Sequence, residues 1–184
     1  MSTFYYLISS LPSISLWEKP EIDSETFLSS CKEWLNDKEI ELLKDVNLLP
    51  AEESTHKIAT VTRWYNWETC LRNRIARLRS GKLDIDHTQY LQEEHDFFSE
   101  SDRIVQEAMI ADNPLEKEKM LDEQRWNFLN SLEAGHSFDL ELLCVYKLKL
   151  KLCEKWLDRI TEKGKDNFDK ALNTLYKEDM LKID

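Results

Sequence analysis

The sequence predicts an all-α protein, a bundle of about six or seven helices in which two helices are long. Apolar residues recur at helical spacing along most of the 184-residue chain. The chain has three Gly and four Pro, whereas each tight hairpin of a β-sandwich or barrel needs such residues. Six Trp, seven Phe and six Tyr argue against a disordered chain, which would be poor in aromatic residues.

Chain length and one weak repeat bear on the domain organisation. A chain of 184 residues predicts a single helical domain, residues 1–184. Cys70 and Cys153 are each followed eleven residues later by Gly-Lys, with an offset of 83 residues between the two sets. The repeat predicts two related halves, residues 1–110 and 111–184, although chance similarity explains it equally well.

The first segment, residues 4–12, is apolar and ends at Pro12. A run this short does not distinguish a helix from a buried strand by its periodicity. It has no basic residues before it and is shorter than the ~20 residues that span a bilayer. We therefore expect neither a signal peptide nor a membrane anchor, and an extended connection from Pro12 to Pro20.

Two short helices are predicted next. Asp23 is a typical N-cap residue, and Glu25 follows in the first turn, where a negative charge meets the positive end of the helix dipole. Asn36 ends that helix and caps the second one, whose apolar positions continue to Val46. Pro50 marks the break that follows.

The first long helix is predicted from His56 to Ser80. Its apolar stripe continues for about 24 residues, which is roughly 36 Å at 1.5 Å per residue. Gly81 follows where a left-handed C-cap residue is favoured. The stripe consists of Ile58, Val61, Trp64, Tyr65, Trp67, Leu71, Ile75 and Leu78.

Three turn signals delimit the next two helices. Asp86 and Gln89 have the spacing of a capping box and predict a helix that continues to Met109. Asn113-Pro114 predicts the start of another helix, because proline is favoured in the first turn after an Asn cap. Gly135 predicts where that helix ends.

The second long helix is predicted from Phe138 to Lys163, with Ser137 as its cap. Residues 146–152 alternate between apolar residues and lysine, which is a strand pattern. The flanking apolar positions keep a helical stripe, and Leu and Lys are good helix formers, so we predict a central helix. A last helix is predicted over residues 166–181, after Gly164.

No residue pattern predicts catalysis, a cofactor or a metal site. The chain has no Gly-x-Ser-x-Gly and no Gly-rich phosphate loop. Glu133 and His136 have the Glu-x-x-His spacing of di-iron bundles, but no second such pair exists. The remaining histidines lack ligand partners at suitable spacing, apart from the Glu94-His95-Asp96 run, which we interpret as a solvated face: His56, His87 and His95.

Basic and acidic residues are separated along the chain. The net charge of −11 disfavours general nucleic-acid binding. Residues 63–82 contain six basic residues and one acid, whereas residues 84–133 contain fourteen acids and four basic residues. Either the arginines pair with their own acidic neighbours, or they form a protein-docking surface, where arginine is enriched. The candidate docking residues are Arg72, Arg74, Arg77, Arg79 and Lys82.

Tryptophan and cysteine give two further expectations. Six tryptophans are many for this length, and we predict that most lie in the core and that one or two anchor a partner. Four widely spaced cysteines without a C-x-x-C motif predict reduced thiols in a cytosolic protein.

Several segments carry a resemblance to a known family. Residues 5–16 with the following Phe27-Leu28 helix, and the segments Arg125-Trp-Asn-Phe-Leu129 and Tyr146-Lys-Leu-Lys-Leu150, resemble an uncharacterised bacterial family encoded among V-type ATPase genes. More distantly, Arg72-Asn-Arg-Ile-Ala-Arg-Leu-Arg79 followed by Tyr90-Leu91 is similar to the Arg-rich helix of the funnel-shaped socket protein of V-type ATPases.

The resemblance implies a function. The socket protein is an all-helical funnel that sits on the membrane rotor ring and receives the central shaft. A similar role implies a non-enzymatic component or accessory factor of a V-type ATPase (ATP synthase) that connects the central shaft to the membrane rotor ring. It implies V-type ATPase subunits as partners, and a cytoplasmic location that is peripheral to the inner membrane through the complex. This chain is shorter than the socket protein and would form part of such a funnel.

Two alternatives belong to other classes. A stand-alone helical adaptor would bind a different protein through the same surfaces. A helical hydrolase or metal enzyme would require a polar pocket with several convergent buried acids.

Overall fold

The computed structural model describes residues 3–49, 56–83, 85–86 and 88–160. Within these ranges the chain forms seven α-helices, one short 3₁₀ turn and no strand, which confirms the predicted all-α class. The apolar start of the chain, undecided from the sequence, is helical. The elements are α1 (Thr3–Ser10), α2 (Ser24–Cys31), α3 (Asp37–Asp45), α4 (Ala59–Leu83), the 3₁₀ turn (Thr88–Tyr90), α5 (Glu100–Ile110), α6 (Pro114–Leu132) and α7 (Leu140–Ile160).

Helix α7 is the central element of the bundle. It packs against α2, α3, α4 and α6. The alternating segment at residues 146–152 is helical, as predicted, because the lysines between its leucines do not have to face solvent: Lys147 and Lys149 are themselves buried. The fully buried apolar side chains of α7 are Leu143, Cys144, Val145, Leu148, Leu150 and Leu152.

Charged side chains of α7 hold the ends of three other helices. Glu154 accepts hydrogen bonds from the backbone N and the hydroxyl of Ser24, both at 2.6 Å, at the start of α2. Glu141 likewise accepts from the backbone N and hydroxyl of Thr60 at the start of α4. The Nζ of Lys147 donates to the carbonyl oxygens of Leu43 and Lys44 at the end of α3, at 2.8 and 2.9 Å. Each sign matches the helix dipole that it meets.

The predicted N-caps of the three shorter helices are confirmed. Asp23 accepts from the backbone N of Thr26, and Asn113 accepts from that of Leu115 ahead of Pro114. Asn36 and Glu39 form a complete capping box at the start of α3. Such a cap stabilises a helix by about 1 kcal/mol.

The prediction that Gly81 terminates the first long helix is wrong. Helix α4 has 25 residues and continues through Gly81 to Leu83. Gly135, just beyond α6, does have a positive φ of 93°, and α6 ends as predicted. The backbone N of Ile85 donates to the carbonyl oxygen of Ser80, so the reversal after α4 comes later than a C-cap at Gly81 would place it.

The helix predicted to begin at Asp86 is also wrong. Asp86 caps only the 3₁₀ turn, by accepting hydrogen bonds from the backbone N and the hydroxyl of Thr88. The chain then runs without regular structure to α5. The physical reason lies in α4: the Asn73 side chain donates to the carbonyl oxygen of Gln92 and accepts from its backbone N, so both groups are used outside a helix.

The start of α7 differs from its prediction by a few residues. Asp139, rather than Ser137, accepts the hydrogen bond from the backbone N of Leu142, so the helix begins at Leu140. The predicted end of this helix at Lys163, the helix at 166–181, and Pro50 and His87 lie outside the described residues.

One continuous apolar core joins the predicted halves 1–110 and 111–184. Its aromatic centre is a stack in which the ring of Trp67 lies 4.5 Å from that of Phe128, with Trp64 and Phe98 beside them. Gly164, on which the repeat depends, lies outside the described residues, so the duplication stays a prediction.

The four cysteines are buried and form no disulfide. Burial raises the pKa of Cys31 and of Cys144 to about 12 and that of Cys153 to about 11, which makes these thiols poor nucleophiles. None of the described helices combines the length and the apolar character needed to cross a membrane.

Candidate functional site

The candidate docking residues occupy the last three turns of α4, and the structure separates them into two groups. Arg74 is 7% exposed and lies inside the fold. Its guanidinium donates to Glu94 at 2.5 Å and to Asp102 at 3.0 Å. Burial disfavours the charged form, but the hydrogen bond and charge of Glu94 more than compensate, so the pKa of Arg74 is raised. This arginine therefore joins α4 to the segment before α5, and it contributes little to the surface.

The other four candidates are exposed. Arg72 pairs with Glu68 at 3.0 Å, and Arg77 lies 3.6 Å from Glu94. Arg79 and Lys82 form no ion pair with any residue in the described ranges. The interpretation that the arginines pair with acidic neighbours thus holds for the first two and for Arg74, and the docking role stays a prediction.

Exposed apolar residues surround these cations. Leu83 is 68% exposed and Tyr90 is 63% exposed, and Ile85 lies between them in sequence with about half of its surface accessible. We define the α4-end surface as these three residues together with the four exposed cations: Arg72, Arg77, Arg79, Lys82, Leu83, Ile85 and Tyr90. Arginine beside exposed apolar side chains is typical of protein interfaces.

A buried cluster of ion pairs lies directly beneath the α4-end surface. Arg125 of α6 forms a two-pronged pair with Glu68 of α4, at 2.8 and 2.9 Å, and a third bond with Asp122 at 2.7 Å. Glu68 and Asp122 are 1% and 0% exposed. Burial lowers the pKa of Arg125, but the charges of Glu68 and Asp122 outweigh it and the net shift is upward, so the guanidinium stays charged.

Helix α7 completes the cluster. The Nζ of Lys155 donates to both oxygens of Asp122 and to Glu118, and the indole Nε1 of Trp156 donates to Asp122 at 2.7 Å. Burial raises the pKa of Glu118, but the hydrogen bond from Lys155 and the neighbouring cations outweigh this, so its pKa is lowered. The cluster joins α4, α6 and α7 through saturated, charge-assisted hydrogen bonds.

The cluster also bears on the enzymatic alternative. Buried acids do converge beside a cavity, as that alternative requires. However, Glu68, Asp122 and Glu118 are each bonded to an arginine or a lysine, which favours the ionised carboxylate over a carboxyl that could donate a proton. Their arrangement is that of a structural crosslink.

A cavity of about 500 Å³ separates the cluster from solvent. Residues of α4 and α6 form its floor and sides, and residues 83–90 form its rim. Three arginines and one glutamate line it, together with apolar side chains such as Ile75 and Leu121: Arg72, Arg79, Arg125 and Glu118.

A second exposed apolar patch is formed by aromatic residues of the first helices and of the segment before α7. Tyr5 contacts Tyr6 and Phe138 with ring centroids 5.6 and 4.9 Å apart, and Tyr6 stacks on Trp34 at 6.2 Å. All four rings are at least 39% exposed. We call these four residues the aromatic patch. Trp34 thus fits the expectation of an exposed tryptophan, as does Trp17, whereas three others are core residues: Trp64, Trp67 and Trp156.

The residues considered for metal binding are engaged elsewhere. Glu133 accepts from Lys149 at 2.6 Å, and His136 Nδ1 lies 2.7 Å from Asp139. In the part of the chain that the structure describes, no three His, Cys, Asp or Glu side chains are grouped to hold a metal ion.

The Glu94-His95-Asp96 run is not a helix face. It lies in the irregular segment before α5. Glu94 accepts from Arg74 and Asn73, and Asp96 accepts from Asn66. The two acids therefore fasten this segment to α4.

Sequence reasoning did not find the cluster. One signal was available: Glu68 is the single acid in the basic stretch 63–82, and it follows Trp67 directly in the apolar stripe of α4. An acid at such a position needs a buried cation, because an unpaired buried charge is costly. Its partner, Arg125, is 57 residues away, and sequence alone does not identify it.

Comparison with known proteins gives one family. Residues 103–179 match the family described as Protein of unknown function (DUF2764). The matched segment covers most of α5 and all of α6 and α7, so it includes Asp122, Arg125 and Lys155 but no residue of α4. No curated protein and no solved structure matches the chain. Because the matched family has no known function, the V-type ATPase role stays a prediction.

Proposed function

We propose that this protein is a non-enzymatic accessory factor or component of a V-type ATPase, a helical connector that docks through the α4-end surface. The ATPase assignment comes from the sequence resemblance. The docking surface is supported by one structural observation: Arg79 and Lys82 have no ionic partner among the described residues and stand beside the exposed Leu83. The proposed location is the cytoplasmic face of the membrane, through the complex.

The chemistry of the surface supports a protein partner. Its cations would steer an acidic partner into contact and fix its orientation, and the exposed apolar side chains would supply burial at the centre of the interface. The complementary element is an acidic segment with apolar anchors. The net charge of −11 makes this surface a local exception on the molecule.

The cluster beneath the surface supports a mechanical role. A connector between a shaft and a ring must transmit force without yielding. Charge-assisted bonds from Arg125 and Lys155 tie α4, α6 and α7 together directly under the proposed contact. A load applied at the end of α4 would therefore be shared by three helices.

The experiment is a pull-down from native membranes with the tagged full chain. We expect V-type ATPase subunits to be recovered with the wild type, and recovery to fall at least about tenfold when Arg79→Glu and Lys82→Glu are combined, a loss of about 1.4 kcal/mol or more. The matched control combines Lys32→Glu and Lys38→Glu, two exposed lysines of the α2–α3 region, with the same charge change. Recovery of no ATPase subunit by the wild type would reject the assignment. Equal losses in both double variants would reject the surface.

The stand-alone adaptor remains the second candidate, and the aromatic patch favours it. Exposed, mutually stacked rings are common protein anchors. If Tyr6→Ser, with an unaltered melting temperature, removes a partner other than an ATPase subunit from the pull-down, the adaptor function is favoured.

A further inference from the structure

The cavity beneath the α4-end surface has the dimensions of a small-molecule site. Its volume of about 500 Å³ lies within the range of ~300–1,000 Å³ that is usual for ligand pockets. Its walls come from α4 and α6, which the ion-pair cluster holds together, so the cavity is built on rigid elements.

The charge of the cavity favours an anion. The cluster and the cavity lining together contain five cations against three acids. Each of the three acids is already bonded to a cation, and Arg79 is the lining cation that has no partner among the described residues. An excess of positive charge that is partly shielded from water attracts a negative group strongly. The cations are Arg72, Arg79, Arg125, Lys155 and Arg159, and the acids are Glu68, Glu118 and Asp122.

The remaining lining is apolar. Ile75 and Leu121 are buried against the cavity, and Leu83 stands exposed at its rim. A small inorganic anion would leave these side chains in contact with water. A ligand with an anionic group and an apolar body would satisfy both parts of the lining, because burial of its apolar body adds to the pairing with arginine.

We propose that this cavity binds an amphipathic organic acid, with its carboxylate on Arg79 and its apolar body against the α4 and α6 walls. The inference goes beyond the proposed docking function and does not depend on it. A site on the isolated protein would also put a small acid next to the docking surface, where its occupancy would compete with or support a partner.

The test is isothermal titration of the full chain with dodecanoate, below its micelle concentration. Dodecylammonium, which has the same alkyl chain and the opposite charge, is the matched probe. We expect saturable binding of one dodecanoate and at least tenfold weaker binding of dodecylammonium. Equal affinity for both probes would overturn the proposal, because it would indicate an unspecific apolar contact. Binding of dodecanoate only to vesicle-associated protein would overturn it as well.

Two variants locate the site. Arg79→Gln removes the unpaired cation and should weaken dodecanoate binding at least tenfold. Ala76→Trp places a large side chain in the cavity from a half-buried position of α4 and should abolish binding. Lys38→Gln, on the surface of α3, is the control and should bind as the wild type does. Unaltered affinity in Arg79→Gln, which alters an exposed side chain and is expected to fold, would refute the proposal even if Ala76→Trp did not fold.

A fourth variant separates this inference from the docking function. Lys82 belongs to the α4-end surface but not to the cavity lining. Lys82→Glu should therefore bind dodecanoate normally whether or not it still recovers ATPase subunits. Failure of the pull-down with normal titration, or the reverse, shows which of the two proposals is wrong.

Discussion

Replacing Glu68 by glutamine removes the carboxylate through which α4 holds Arg125. The guanidinium of Arg125 is then left with Asp122 as its acidic partner in a site where Glu68 is 1% and Asp122 is 0% exposed. Removal of one partner from a buried ion pair typically costs about 3–5 kcal/mol, because the other charge stays buried. We expect about 3 kcal/mol for Glu68→Gln, since Asp122 still compensates part of the charge.

The assay is urea unfolding followed by circular dichroism, supported by thermal melting. For a chain of this length about 3 kcal/mol corresponds to a decrease of roughly 6–12 °C in melting temperature. The matched control is Arg72→Gln, which removes the exposed partner of the same carboxylate and should cost less than about 1 kcal/mol. A second variant, Glu68→Leu combined with Arg125→Leu, should recover stability relative to Glu68→Gln, because apolar replacement of both partners removes the unpaired charge. A loss below about 1 kcal/mol in Glu68→Gln would refute the conclusion that the cluster crosslinks the helices.

Three further predictions concern the packing around α7 and the aromatic stack. Burial, the main cause, and the charge of a neighbouring lysine lower the pKa of Lys147 to about 8, below the value of 10.5 in an unfolded chain. The unfolded state therefore binds more protons above pH 8, and unfolding free energy should rise from about pH 8 to 9, until the buried thiols with raised pKa oppose it. Lys147→Met should abolish this rise in urea titrations at several pH values; a rise of equal slope in the variant would contradict the assignment. Glu154→Gln should cost about 1 kcal/mol through the start of α2, measured in the same way, and a neutral result would show that the cap is dispensable. Phe128→Ala should cost about 3–5 kcal/mol and alter the near-ultraviolet dichroism of the Trp67 stack, whereas an unchanged spectrum would place the ring elsewhere.

Local signals in the sequence are sufficient for most of the fold. Asp23 and the Asn113-Pro114 pair each encode a helix start within a few residues, and the caps form as predicted. The alternating segment 146–152 is predicted correctly as a helix because its flanks keep helical spacing. These predictions succeed because cap chemistry and periodicity are properties of short segments.

Predictions fail where distant groups compete with local preference. The segment after Asp86 has a capping-box pattern, yet Asn73 binds the backbone of Gln92 and holds the chain out of a helix. Gly81 has the composition of a C-cap, but helix α4 continues past it. In both cases the deciding contact lies about twenty residues away or depends on packing, which a local pattern does not contain.

The candidate site is only partly predictable. The basic stretch is visible in the composition, and four of its five candidates are exposed. The assignment of Arg74 to Glu94 and Asp102 rather than to the surface requires tertiary structure, as does the role of Glu68. A cavity between two helices and a loop has no local sequence signal at all.

The position of α7 has a consequence for synthesis on the ribosome. Its side chains contact groups far upstream: Tyr146 donates to the carbonyl oxygen of Pro12, and Glu154 and Lys147 reach Ser24 and Leu43. Contacts at such sequence separation form late, because the intervening chain must first be made and closed. The first three helices therefore leave the exit tunnel well before the helix that covers them. During that interval, nascent chains would present apolar surface of the kind that chaperones recognise.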